Sequence, residues 1–187
     1  MTERIHDCLP NTVYPRGMET LDNGRRVLIR PIHVEDLKAE RAFIDRLSPQ
    51  SRRFRFLGQI GTPSEGLLRQ LTDIDYRHEV AFVAVHADQI VGVSRYSADE
   101  GHVNCECAVT VDDAWHDQGL GTLLMKYLID YARERGIHRM YSVDAADNVP
   151  MNQLASYLGF TRRADPDDAG QVIHELDLQR PAAHAHP

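Results

Sequence analysis

AWHDQGLGTLLMKYL, running from Ala114 to Leu128, places two glycines one residue apart at the threshold of an apolar periodic stretch. Leu120, Leu123, Leu124, Tyr127, Leu128, Tyr131 and Ala132 recur at helical spacing, so a helix opens near Gly119. Gly136 stands where a left-handed cap would close it. Upstream, GHVNCECAVTV reads as a strand ending at Val111. Gly119 and Gly121 suit a backbone that must approach a ligand closely. Consecutive N–H groups at a helix N-terminus form an anion site, which favours a phosphate or pyrophosphate. A plain strand-to-helix turn is the blander account, and Asp117 is an awkward charge beside a phosphate.

Two familiar phosphate loops do not fit. The GxxxxGK[ST] loop needs a lysine that is missing here. The dinucleotide fingerprint lacks its third glycine, because Gly119-Leu120-Gly121-Thr122-Leu123-Leu124 ends in leucine. Asp144, about 20 residues further on, mimics a ribose-binding acid. The preceding strands nevertheless read as hairpins rather than βαβ units, and the path from Val111 to Gly119 is long for such a turn.

Further outward, METL and RRVLIRPI flank the turn Asp22-Asn23-Gly24 and read as a hairpin. Val27, Ile29 and Pro31 share one face of its second strand, with Leu28, Arg30 and Ile32 on the other. HVEDLKAERAFIDRLS predicts a helix with a stripe of Leu37, Arg41, Phe43, Ile44 and Leu47, and with acidic Glu35 and Asp36 in its first turn. Ser48-Pro49 stops it. SPQSRRFRFL and SEGLLRQLTD predict two short helices. VAFVAVHA, DQIVGVSRYSAD and GHVNCECAVTV predict three consecutive antiparallel strands. HRMYSVD predicts a strand and NVPMNQLASYLG a short helix, and FTRRA with QVIHELDL closes the chain as a strand pair. One α/β domain, an α+β mixture, spans residues 14–179, with loose tails at 1–13 and 180–187. The tail histidines His184 and His186 are read as part of a loose end.

The 187 residues, 42% hydrophobic and 26% charged, suit one globular domain. No run approaches the ~20 apolar residues of a membrane span, and no secretory signal opens the chain, so a cytoplasmic location is expected. Three cysteines form no disulfide framework. Cys105 and Cys107 share one strand face and read as core residues, since CxC without a second pair is a weak metal signal. A net charge of −7 disfavours nonspecific nucleic-acid binding and suits a cationic partner, although solubility alone accounts for it.

ECAVTVDDAWHDQGLGTLLMKYLIDYARERGI resembles the acetyl-CoA-binding core of the GNAT superfamily of N-acetyltransferases. That family carries a [QR]xxGx[GA] loop whose amides bind the coenzyme A pyrophosphate. Here the loop is His116-Asp117-Gln118-Gly119-Leu120-Gly121, with Thr122 following. NVPMNQLASYLGF resembles the family's second coenzyme-side motif, from Asn148 through Met151 to Gly159-Phe160. YPRGMETLDNGRRVLIRPIHVEDL, RLSPQSRRFRFLG and ECAV are similar to the acetyltransferase domain of Pat-type bacterial protein lysine acetyltransferases, over roughly residues 14–178. The implied fold is a central mixed, mostly antiparallel sheet flanked by helices.

Acetylating a lysine amine, whose pKa lies near 10.4, requires a base. Glu106 sits mid-strand between Cys105 and Cys107 and projects from the opposite face. Partial burial would suit it to base work, and the matching glutamate of Pat-like domains implies that role. The resemblance places the acetyl and pantetheine arm along Ala108 to Val111, through Val109 and Thr110, with the Val109 amide as oxyanion donor. Many members carry a tyrosine as general acid where this chain has Ala155. Tyr157, two residues on, is expected to point elsewhere, so solvent or the substrate ammonium would protonate the thiolate. His116 and Asp117 replace the loop's usual arginine or glutamine and a common glycine. Arg52, Arg53 and Arg55 could meet the coenzyme 3′-phosphate or an acidic substrate, although a solvated helix face with ion pairs is the plainer reading.

The expectation is therefore an acetyl-CoA-dependent N-acetyltransferase without a metal, acting on a protein lysine by direct transfer. Nucleic-acid and membrane partners are not expected, and the protein is expected to be a monomer or homodimer. A small-molecule amine acceptor is the nearest alternative. A non-catalytic acetyl-CoA-binding or sensing module is the alternative outside the enzymes, and a nicotinamide-dependent enzyme stands further off.

Overall fold

A computed structural model describes residues 14–57 and 62–179. The tail residues 1–13 and 180–187, with His184 and His186, lie outside the described residues. The strands are β1 (Gly17–Thr20), β2 (Arg26–Pro31), β3 (Glu79–His86), β4 (Gln89–Ala98), β5 (Asn104–Val111), β6 (Arg139–Ala145), β7 (Thr161–Ala164) and β8 (Gln171–Asp177). The helices are α1 (Leu37–Arg46), α2 (Pro49–Phe56), α3 (Glu65–Thr72), α4 (Leu120–Glu134) and α5 (Val149–Tyr157). The eight strands form one sheet in the order β1-β2-β3-β4-β5-β6-β8-β7. Every neighbouring pair is antiparallel except β5 and β6. This is the mixed, mostly antiparallel sheet flanked by helices that the resemblance implied.

Two cores explain the sequence patterns. Val27, Ile29, Phe82, Cys105 and Cys107 pack beneath α4, whereas Ile32, Ala81, Val83 and Val93 pack beneath α1 and α3. The middle of the sheet is covered on both faces, so β3 and β4 read as continuous apolar runs. β8 alternates buried and half-buried residues, because one of its faces lacks such cover. Cys105 and Cys107 are core residues, as read, and burial pushes the Cys105 thiol up to about 12. Met125 and Ile129 join the expected stripe of α4 in the core, while Leu123 and Tyr127 sit half-buried at its margin.

The first helix differs from its prediction. Val34–Asp36 forms a separate 3-10 turn before α1. In α1 the buried residues are Glu40, Phe43 and Ile44, whereas Arg41 is half-buried and its guanidinium donates to the Pro63 carbonyl at 3.1 Å. Asp36 does more than complement the helix dipole. It accepts two bonds from Arg30, at 2.6 and 2.8 Å, and a third from the His33 N–H at 2.8 Å. That cluster locks β2 to the start of the helical layer.

Burial by itself would raise the Asp36 carboxyl, but its bonds from Arg30 and His33 outweigh burial and hold it below the usual 3.8. A carboxylate lowered on folding stabilises above its unfolded pKa, and that contribution fades as pH drops through the folded value. Asp36→Asn is therefore expected to cost about 1–3 kcal/mol at neutral pH. It should lose less stability than the wild type between pH ~4 and pH ~2, read by urea unfolding.

Candidate active site

The site begins where two strands part. β5 and β6 pair only over Asn104–Glu106 and Arg139–Tyr141. Beyond that point β5 continues to Val111 beside β4, and β6 continues to Ala145 beside β8. A wedge-shaped cleft opens between them. The Asp112 N–H points at β4, meeting the Val91 carbonyl at 2.9 Å. Strand alternation therefore turns the Val109 and Val111 N–H groups into the cleft. Thr110 Oγ1 is buried beside it without a hydrogen-bond partner among the described residues.

The glycine loop closes one side of the cleft. Gly119, at φ +79°, caps α4, and the first helical bond runs from the Leu123 N–H to the Gly119 carbonyl at 3.0 Å. The amides of Leu120, Gly121 and Thr122 thus belong to an open first turn at the positive end of the helix dipole. Asp117 is exposed and holds φ +56°, a left-handed conformation in which glycine is at ease and aspartate is tolerated. His116 is also exposed, and its ring Nε2 donates to the Val111 carbonyl at 3.0 Å.

Carboxylates upstream brace the loop. Asp112 accepts from Arg46 at 3.0 Å and from the Ala114 N–H at 3.0 Å. Asp113 accepts from the Ser48 N–H and from the hydroxyls of Ser48 and Ser51 at 2.7–2.9 Å, joining the loop to the start of α2. Gln118 turns the other way, accepting from Asn23 at 2.7 Å and donating to the Ala114 carbonyl at 3.1 Å. It ties the loop to the β1–β2 turn.

The cleft encloses a cavity of about 550 Å³. Glu106, Val109, Thr110, Val111, His116, Asp117, Gly119, Leu120, Gly121, Thr122, Asn148 and Met151 all line it, and Gln118 does not. Asn148 is buried and caps α5, its side-chain oxygen accepting the Met151 N–H at 3.2 Å. Tyr157 faces a different side of α5 from Ala155, as the helical spacing predicts, yet it reaches the cavity. It lies 63% exposed on the last turn of α5 and borders the same cavity, whereas Ala155 is buried in the core. Ala155 turns into the core, while Pro150, Met151, Gln153, Leu154 and Tyr157 of α5 border the cavity.

A second cavity of about 160 Å³ adjoins on the α3 side and is lined by Arg55, Glu79, Arg95, Ser97, Glu106 and Ala108, among others. Glu106, Ala108 and Arg55 line both cavities. Glu106 is exposed, against the partial burial expected of it, because the parting strands leave its face of β5 uncovered. The arginines also depart from a single solvated face. Arg53 does pair outward with Asp147 at 2.6 Å. Arg52 caps the carbonyls of Asp45 and Leu47, and Arg55 turns inward to both cavities.

The sequence reading missed a buried polar network behind the cleft. His174 Nδ1 lies 2.9 Å from Asp144 Oδ2, and its Nε2 lies 3.1 Å from Asn152 Oδ1. Ser142 donates to the same Asp144 oxygen at 2.6 Å. Asp144 borders the larger cavity, with Val143, Phe54 and Gln153. The alternation of Ser142, Asp144 and His174 with apolar neighbours on β6 and β8 was the available signal.

The Acetyltransferase (GNAT) family profile matches residues 50–160. A Pseudomonas aeruginosa protein named as an acetyltransferase is 53% identical over 165 residues, covering 86% of this chain and 89% of that protein. The Acetyltransferase Pat of Mycolicibacterium smegmatis is 29% identical over 131 residues, covering 68% of this chain but 38% of its own length. The crystal structure of the GNAT domain of S. lividans PAT superposes with a TM-score of 0.82 at 25% identity, covering 88% of this chain and 99% of that domain. A parted β5–β6 pair, a glycine-capped helix facing the gap and these matches agree: this chain belongs to the GNAT family of acetyltransferases.

Proposed function

We propose that this protein transfers the acetyl group of acetyl-CoA directly to a lysine side chain of a protein, with Glu106 as general base. The observation that carries the reading is the placement of Glu106. It stands at the last paired residue of β5 against β6 and borders both cavities. A carboxylate there can take a proton from an amine arriving through the smaller cavity, directly or through one water. The lone pair of that amine then attacks the thioester carbonyl lying along β5.

The residues present fit acetyl-CoA. The larger cavity is lined by the open first turn of α4 and by the stretch of β5 that leaves β6. The amides of Leu120, Gly121 and Thr122 would hold the pyrophosphate, assisted by the helix dipole. The Val109 N–H would donate to the carbonyl oxygen as it gains charge. Asn148 fixes the start of α5, and Met151 adds an apolar wall. The amine's proton goes to Glu106. The sulfur leaves as a thiolate and takes a proton from solvent or from the incoming ammonium, since Ala155 offers none.

Protein lysine as acceptor rests on the Pat-like sequence elements and on similarity to two Pat proteins. A small amine is the second reading, favoured by the modest size of the acceptor-side cavity. Mass spectrometry of a lysate incubated with the protein and labelled acetyl-CoA separates them: labelled acetyl-lysine on proteins supports the first, and label confined to small molecules supports the second.

Glu106→Gln is expected to lower kcat at least about 10²-fold while leaving acetyl-CoA affinity unchanged by calorimetry. Unchanged turnover removes Glu106 from the base role. Asp117→Gly is expected to leave acetyl-CoA affinity unchanged or to tighten it by up to about fivefold, because an exposed carboxylate near a pyrophosphate costs about 1 kcal/mol at most. A large loss of affinity would show that the Asp117 side chain holds the coenzyme.

A further inference from the structure

The acceptor-side cavity holds two guanidiniums that an amine does not need. Arg55 from α2 and Arg95 from β4 both line it, beside Glu106. Arg95 spends one N–H on the Leu71 carbonyl at 2.8 Å, and its Nε is buried without a partner among the described residues. Arg55 rests over the Phe56 ring, 5.0 Å from its centre, and makes no ion pair among the described residues. Buried Glu40 on α1 is an internal counter-charge to both, yet its Oε2 is also unpartnered among the described residues. Glu79 is exposed at the rim. Glu79 and Glu106 share the cavity and Glu40 lies behind it, yet none of the three forms an ion pair with Arg55 or Arg95 among the described residues, and Glu106 is reserved for the amine.

We propose that the acceptor carries a carboxylate near its reactive amine, and that Arg55 and Arg95 bind this carboxylate while Glu106 meets the amine. This rests on the acetyl-transfer reading and narrows its substrate. Guanidinium groups match a carboxylate in planar, two-point geometry, and a partly desolvated pair gains most from an anion. Burial and the neighbouring Arg95 push the Arg55 guanidinium down to about 10, which a bound anion would relieve. A bare ammonium gains nothing from the same two residues. The carboxylate can belong to a free amino acid or to an acidic residue beside a target lysine.

Two arms distinguish these sources, both using the full chain and acetyl-CoA. One compares aliphatic ω-amino acids with alkylamines of matched length, and the other compares lysine peptides flanked by glutamate with the same peptides carrying glutamine. Rates are referred to the free-base amine. The carboxylate-bearing acceptor is expected to show at least about tenfold higher kcat/KM in one arm, mostly through KM. Arg55→Gln and Arg95→Lys should each shrink that preference. Equal rates in both arms overturn the inference and leave acetyl transfer standing. An Arg55→Gln variant that raises only the KM for acetyl-CoA also overturns it, placing Arg55 on the coenzyme. If no amine in either arm is acetylated, the acetyl-transfer reading falls and the inference with it.

Discussion

Three paired residues between β5 and β6 set the terms for everything else in this molecule. A parallel pair that continued to the strand ends would bury the backbone of Ala108 to Val111 in hydrogen bonds and leave no room for a ligand. The pairing stops at Glu106 and Tyr141 instead. Polar backbone groups within a sheet are costly to leave unpaired, so the gap is physically a demand for a hydrogen-bonding ligand. In the proposed reading, the amide-rich arm of acetyl-CoA would take up those groups.

Holding the gap open takes support from both sides. On the β5 side, Asp112 and Asp113 anchor the segment before α4 to Arg46 and to the Ser48–Ser51 start of α2. On the β6 side, His174, Asp144, Ser142 and Asn152 bond across β8, β6 and α5. Buried polar groups that are mutually bonded fix geometry more tightly than apolar contact does. Each network lies behind one wall of the cleft. In the proposed reading, the groups facing the cleft then serve ligands: helix amides toward an anion, Glu106 toward an amine.

Much of this was legible beforehand, for definite reasons. The helical period of α4, the apolar runs of β3 and β4, and the Asp22-Asn23-Gly24 turn are local patterns that declare themselves in single segments. The glycine loop was readable as a helix start because Gly119 precedes an apolar period of helical spacing. Arg55 was not readable as a cavity residue. On α2 its neighbours Arg52 and Arg53 have the same chemistry, and only the packing of α2 against β5 separates them. Glu106 was readable as a residue facing away from the core, but not as exposed, since exposure depends on which helix covers that face. Tyr157 was readable as facing away from Ala155 but not as bordering the cavity, because helical angle alone does not say which surfaces a helix end borders.

The sequence by itself determined the elements, their order and the glycine loop that opens the long helix, because periodicity and turn chemistry act over a few residues. Tertiary structure alone decided where β5 and β6 part, that Glu106 stands between two cavities, and that Arg55 joins Arg95 beside it. Those facts depend on contacts between residues far apart in the chain, such as Arg55, Arg95 and Glu106, whose meeting no local pattern encodes.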